Sequence, residues 1–244
     1  MKIHPVYLIV LALDGAALLA GAVPEISAAV APPENQTTGC KVIQTVKPVY
    51  PVRLLNDGIT HGETRVMLQI DSAGRLTDTL VTAYTHRGFA DEALRVIPQW
   101  KFEPAQVAGK PAGSVVEVTF DFKMDDMVVI EHKHPKEEPD LEAGQYQFQP
   151  ASLKQLDRIP TPIHVEPPFY PQKWADRGIK GHATVEFYID ETGRTRMPAV
   201  IAADDHMLAG AAIAAVESWR FEPPTEKGRP ALVKAQQTFN FGSE

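Results

Sequence analysis

Carboxylates and histidines stand close enough together for chemistry at several places in this sequence of 244 residues. Asp71 and Asp190 each precede a turn that contains glycine, Asp204-Asp205-His206 puts two carboxylates beside an imidazole, and His132-x-His134 is followed by further acidic residues. A carboxylate beside a histidine can transfer protons, and imidazoles with carboxylates can hold a transition metal. Acid–base catalysis and metal binding are therefore the first functions to weigh.

Structural roles explain these residues more simply. An Asp three residues before Gly is typical of a turn, and Asp205 directly before a predicted helix is typical of an N-cap. His132-x-His134 lies in a charged run without periodicity, where a loose metal site is the weaker alternative. The sequence contains no H-E-x-x-H motif, no glycine-rich phosphate loop and no serine elbow. It therefore predicts a protein that is not an enzyme, with no catalytic residues, metal or cofactor.

The chain repeats itself, and this determines how its elements must be arranged. Motifs recur in the same order with a single insertion: Tyr50-Pro51 and Tyr170-Pro171, Gly58-Ile59 and Gly178-Ile179, Ile70-Asp71 and Ile189-Asp190, Trp100-Lys101-Phe102 and Trp219-Arg220-Phe221, Phe120-Asp121-Phe122 and Phe239-Asn240-Phe241. Ordered self-similarity of this kind predicts two homologous modules. We expect one domain over residues 41–123, a polar linker over 124–159, and a second domain over 160–244.

Each module predicts the same series of elements. A short helix follows Tyr-Pro and ends at Gly58 or Gly178. Two strands joined by a glycine turn come next, with alternation typical of a sheet that has one buried face. A helix over 89–100 or 207–219 follows, and strands over 114–122 and 233–241 close the modules. The predicted fold class is α+β: two tandem two-layer domains, each a short antiparallel sheet with helices on one face.

Charge and the N-terminal segment limit the partners. The chain has 24 basic and 31 acidic side chains and neither module is basic, which argues against nucleic acid. Residues 1–31 combine a charged start, apolar runs and small residues, as in a secretory signal peptide. A membrane anchor is the alternative, although Asp14 at its centre would cost about 2.5–3.5 kcal/mol. Both readings predict a periplasmic location, either released or anchored to the inner membrane.

The ordered motifs resemble the TonB C-terminal domain family over residues 46–122 and 166–241. They run from Tyr-Pro and Gly-Ile through Ile-Asp-x-x-Gly and Trp-Lys/Arg-Phe-x-Pro to Phe-x-Phe. The resemblance implies a periplasmic module that binds extended peptide segments of outer-membrane transporters by strand addition. It also implies a link to inner-membrane motor proteins, and no cofactor.

By analogy with the family, the last strand of each module pairs with the peptide. The implied binding residues are Gln236, Gln237, Thr238, Phe239 and Asn240 in the second module, and Val116, Val118 and Phe120 in the first. The motif residues have structural roles: Tyr50, Pro51, Gly58, Trp100 and Phe102 in the first module, and Tyr170, Pro171, Gly178, Trp219 and Phe221 in the second. We expect both tryptophans to close a core where a helix meets a strand.

Two functions stay open at this stage. The first is support of energised transport across the outer membrane, in the manner of an energy transducer. The second is a soluble periplasmic scaffold that binds envelope proteins through both modules without a motor. Only about ten residues separate Ala31 from the first module, a reach of ~35 Å, which is short for a transducer that spans the periplasm.

Overall fold

The computed structural model describes residues 38–107, 109–124, 128–133 and 146–242, with the backbone alone for 128–133. The predicted signal or anchor segment and the side chains of His132 and His134 lie outside the described residues.

Two sets of elements follow one another along the chain. The first comprises β1 Lys41–Gln44, α1 Val52–Asn56, β2 His61–Ile70, β3 Leu76–Tyr84, α2 Arg87–Val96, β4 Lys101–Glu103, β5 Ala105–Val107, β6 Lys110–Ala112, β7 Ser114–Lys123 and β8 Val128–Lys133. The second comprises β9 Pro162–His164, α3 Gln172–Ala175, β10 Gly181–Ile189, β11 Thr195–Ala203, α4 His206–Ser218, β12 Arg220–Phe221, β13 Thr225–Glu226, β14 Arg229–Pro230 and β15 Val233–Phe241. The principal sheets are antiparallel, in the orders β3-β2-β7-β8 and β11-β10-β15, and confirm the predicted α+β class.

The hairpin turns form as the sequence predicts. In the first, Asp71 Oδ1 accepts hydrogen bonds from the amides of Ala73 and Arg75, at 2.8 and 2.9 Å. Asp190 Oδ1 makes the equivalent bonds in the second module. The glycine that follows adopts a positive φ, 81° at Gly193, where an added Cβ would lie 2.0 Å from the carbonyl oxygen of Phe221. Both aspartates are therefore turn residues.

The long helices differ because of one proline. In the second module α4 runs without interruption, and Asp205 Oδ1 caps it by accepting from the amide of Met207 at 2.7 Å. In the first module α2 stops at Val96 and a 3-10 turn, Ile97–Gln99, replaces the predicted last helical turn. Pro98 has no N–H to donate and its ring would collide with the preceding turn, which ends the α-helix early.

Each module has its own core between the helix and one face of the sheet. The first is built from Val66, Leu68 and Ile70 of β2 against Phe89 and Trp100. The second repeats this arrangement with β10, α4 and Trp219. Each tryptophan also donates from Nε1 to a backbone carbonyl, Trp100 to Val46 at 3.0 Å and Trp219 to Glu166 at 2.9 Å. The predicted core role of both tryptophans is confirmed.

The prediction that each sheet has a single buried face is wrong where the modules meet. Met67 and Tyr188 lie on the faces opposite the helices, yet they are 3% and 5% exposed and cluster with Met197 and Leu232. Nearby, Arg196 donates to both oxygens of Asp78, at 2.6 and 2.8 Å. The two sheets therefore face each other here, with the helices outside. Burial in this contact raises the pKa of the Tyr188 hydroxyl.

The segment predicted as a polar linker, residues 124–159, contains ordered parts. Its residues Val128–Lys133 form β8 against β7. Further on, Tyr146 donates its hydroxyl to Glu63, and the guanidinium of Arg65 stacks 5.0 Å above the ring of Tyr146. The ladder of β8 therefore holds the segment at the edge of the first sheet, and Tyr146 holds it on the face of β2 opposite the core. In the sequence, the charged run around β8 includes a short stretch of β-branched residues, which favour a strand.

Candidate functional site

The strand β15 ends the sheet of the second module. It pairs with β10 along its whole length, from Gly181↔Phe241 to Ile189↔Val233. On its other side, one parallel bridge, Ala151↔Val233, is the only pairing within the described part of the chain. From Lys234 onward β15 is therefore an edge strand among the described residues.

Alternate residues of β15 turn their backbone groups toward this edge. The amide of Ala151 donates to the carbonyl of Leu232 at 2.8 Å, on the side away from β10. Backbone N–H and C=O groups alternate in direction along an antiparallel strand. The groups of Lys234, Gln236, Thr238 and Asn240 therefore also point away from β10. Such a row of donors and acceptors is a template for another strand.

The side chains of β15 divide between a core face and an outer face. Val233, Ala235, Phe239 and Phe241 are buried in the core of the second module. On the outer face Lys234, Thr238 and Asn240 are exposed and Gln236 is half-buried. The core row fixes the strand in place, so the edge is presented on a rigid element.

Cross-strand polar contacts hold the outer face of β15 on β10. Glu186, only 8% exposed, accepts from Gln236 Nε2 at 2.9 Å and lies 3.0 Å from Lys234 Nζ. The hydroxyls of Thr184 and Thr238 lie 2.9 Å apart. The lysine balances the buried carboxylate, so this end of the strand carries little net charge.

Gln237 is an exception to the pattern of the core row. It is 6% exposed, its Nε2 donates to the carbonyl of Thr238 at 2.7 Å, and its Oε1 has no partner among the described residues. The repeat places Val118, fully buried, at the same position of the first module. Sequence reasoning named Gln237 as an edge residue but missed its burial, although comparison of the two repeats carries that signal.

The first module presents its last strand differently. Strand β7 is paired on one side with β2 and on the other with β8, where Val118 faces His132 and Phe120 faces Ile130 in the backbone register. Val118 and Phe120 are fully buried and Val116 is half-buried. The expectation of an accessible edge is therefore wrong for β7, because the chain folds back and pairs with it.

The remaining motif residues have the structural roles expected of them. The hydroxyls of Tyr50 and Tyr170 donate to the carbonyls of Ile59 and Ile179 at 2.9 and 2.8 Å. Pro51 and Pro171 precede the short helices, Gly58 and Gly178 follow them with φ of 76° and 70°, and Phe102 and Phe221 are buried.

The acidic cluster near α4 divides between two structural roles. Asp205 caps the helix, while Asp204 Oδ2 accepts from the amide of His182 at 2.8 Å and lies 2.7 Å from its Nδ1. The side chain of His206 is 85% exposed. In the described ranges no group of three or more His, Cys, Asp or Glu side chains is placed to hold a metal.

Among the described residues, no helix combines the length and the apolar character needed to cross a membrane.

The fold defines a class of small two-layer α+β domains, present here in two copies. Residues 46–124 and 166–242, more than half of the chain, match the family described as Gram-negative bacterial TonB protein C-terminal. The chain therefore belongs to this family.

The chain is similar to parts of two known proteins. Protein TonB of Yersinia enterocolitica is 36% identical over 73 residues, which are 30% of this chain and 28% of that protein. The solution structure of the TonB C-terminal domain of Pseudomonas aeruginosa is 31% identical and covers 35% of this chain and 87% of that domain. Its TM-score is 0.31, too low for the comparison to bear on the fold.

Proposed function

We propose that the chain is a periplasmic TonB-like binding protein whose second module captures an extended peptide segment of an outer-membrane transporter. The peptide adds as a fourth strand to β11-β10-β15, along the edge of β15. The observation that carries the proposal is the outward row of backbone groups on β15 in a member of this family. The role is binding, not catalysis, and it needs no cofactor.

The edge offers enough hydrogen bonds for a specific but weak complex. Lys234, Gln236, Thr238 and Asn240 each direct one N–H and one C=O outward, and the C=O of Thr238 accepts from Gln237 Nε2, which a peptide donor would have to replace. Each net hydrogen bond contributes about 0.5–1.5 kcal/mol, and ordering the peptide and losing its free motion cost several kcal/mol. After these costs the backbone bonds alone fall short of the roughly 8 kcal/mol of a micromolar dissociation constant, so in this proposal burial of peptide side chains supplies the rest of a micromolar affinity.

Energised transport, in this proposal, requires that the N-terminal segment stay as an anchor and reach the motor proteins of the inner membrane. A scaffold that binds through both modules requires two open edges. In the described structure the last strand of the second module, β15, is open, whereas the last strand of the first module, β7, is paired with β8. The transporter-binding function through β15 is therefore the one we put forward.

A proline scan of the edge tests the proposal. Thr238→Pro removes an outward N–H without removing a bond to β10, because the backbone groups of Thr238 point away from β10. We expect isothermal titration with a synthetic N-terminal peptide of a TonB-dependent transporter to show at least tenfold weaker binding. Thr238→Val, which keeps the backbone donor, is the matched control and binds as the parent does. Unchanged affinity of a folded Thr238→Pro chain would overturn the proposal.

A further inference from the structure

The two modules carry the same strand in two different states. Strands β7 and β15 occupy equivalent places in the repeat, since Phe120-Asp121-Phe122 matches Phe239-Asn240-Phe241. Each pairs antiparallel with the central strand of its sheet, β2 or β10, without a break in register. They differ only on the far side, where β7 meets β8 and β15 is open from Lys234 onward in the described structure.

Strand β8 lies where a bound peptide would lie. Its ladder runs from Glu117↔Lys133 to Phe122↔Val128. In the repeat, the β7 residues of this ladder correspond to 236–241 of the second module. That stretch includes three of the four residues whose backbone groups point outward, Gln236, Thr238 and Asn240. The chain thus supplies its own strand to the equivalent edge of the first module.

The second module shows that a fourth strand is not needed for folding. Among the described residues its sheet has three strands, β11-β10-β15, which pack a core against α4. By the same architecture β2, β3 and β7 pack their core against α2. Strand β8 is therefore an addition to a finished domain, held by its ladder with β7.

We infer that β8 is a resident ligand of the first module, which closes a second peptide-binding edge and leaves the chain with one open site. This inference rests on the proposed function of β15. The occupant is residues 128–133 of the same chain, joined to β7 by the short segment 124–127. A tether of that length holds a strand at an effective concentration in the millimolar range. A transporter peptide of micromolar affinity therefore fills β15 and leaves β7 closed.

Counting bound peptides tests the inference. The intact chain binds one transporter peptide in isothermal titration. The variant Val129→Pro/Ile130→Pro weakens the ladder between β8 and β7. Because backbone N–H groups alternate in direction along a strand, one of the two consecutive prolines removes an N–H that faces β7. We expect the number of sites to rise from one to two. Val129→Thr/Ile130→Thr keeps strand propensity and serves as the control with one site. A folded double-proline variant that still binds one peptide would overturn the inference.

Amide exchange on the unmodified chain gives a second test that needs no variant. Micromolar peptide leaves the exchange of the 128–133 amides unchanged, whereas millimolar peptide, comparable to the tethered concentration, exposes them in about half of the molecules. If these amides stay as protected at millimolar peptide as in the free chain, β8 is not displaced by the peptide and the inference is wrong. If the intact chain binds no peptide at all, the proposed function fails; if it binds one and β8 never yields, only this inference fails.

Discussion

Replacing Gln237 with the residue of the other repeat tests the account of the edge strand. The substitution Gln237→Val removes the buried Oε1 that lacks a partner in the described structure, and an orphaned buried acceptor costs about 1–3 kcal/mol. It also removes the bond from Nε2 to the carbonyl of Thr238, a loss of about 0.5–1.5 kcal/mol. We therefore expect the free energy of unfolding to rise by about 1 kcal/mol. That gain corresponds to an increase in Tm of roughly 2–4 °C for a protein of this size.

Differential scanning calorimetry of the intact chain measures this change, and the chain offers a matched control. Val118→Gln makes the reverse substitution at the equivalent, fully buried position of the first module. It should destabilise by about 2 kcal/mol or more, because an amide enters a core built for a valine. Peptide binding at β15 should not weaken in Gln237→Val, since the outward N–H groups of the strand remain and the C=O of Thr238 is freed from the Gln237 side chain. A lower Tm for Gln237→Val would show that Oε1 is satisfied in solution and would refute the reasoning.

Three further perturbations test the rest of the structure. Arg196→Ala removes the paired hydrogen bonds to Asp78 between the modules and should lower the stability of this contact by about 1–3 kcal/mol. We expect the single calorimetric unfolding transition to split into two. One unchanged transition would contradict the packing of the sheets. Burial opposes ionisation of Asp190, but the bonds from its turn prevail and lower its pKa below the usual 3.8. A carboxyl group whose pKa is lower in the folded state stabilises the fold at pH values above its unfolded pKa, and this stabilisation is lost as the pH falls through the folded pKa. In Asp190→Asn the urea midpoint should therefore depend less on pH below about pH 4. An acid dependence of the urea midpoint that runs parallel to that of the parent would count against the turn role. Gly193→Ala places a Cβ against the carbonyl of Phe221 and should lower the free energy of unfolding, measured with urea, by several kcal/mol. Gly210→Ala in α4 is the control, because an added Cβ meets nothing within 4 Å there and the change should be neutral or stabilising.

Local signals in the sequence were sufficient for much of the fold. The closing strand predicted over 233–241 is β15 with its observed bounds, and Asp before x-x-Gly predicted both hairpin turns. These features depend on neighbours along the chain: a period of two for strands, a left-handed glycine for turns, and a carboxylate for a helix N-terminus. The position of Asp205 at the start of α4 was predictable for the same reason.

Features that depend on distant parts of the chain were missed. Met67 and Tyr188 stand at positions that alternation assigns to solvent, and only the packing of one sheet on the other explains their burial. Strand β8 lies in a charged segment, and its pairing with β7 depends on a free edge that sequence periodicity does not reveal. The burial of Gln237 was missed for a different reason: its signal lies in the other repeat, where the buried Val118 stands at the same position.

Hydrogen exchange at β15 during peptide binding tests the central claim most directly. With a transporter peptide at saturating micromolar concentration, the amides of Lys234, Gln236, Thr238 and Asn240 should gain protection. The amides of Ala235 and Phe239, already directed toward β10, should change little, and the β7 amides not at all. Protection that appears elsewhere, with the four outward amides of β15 exchanging as in the free chain, would contradict strand addition at this edge.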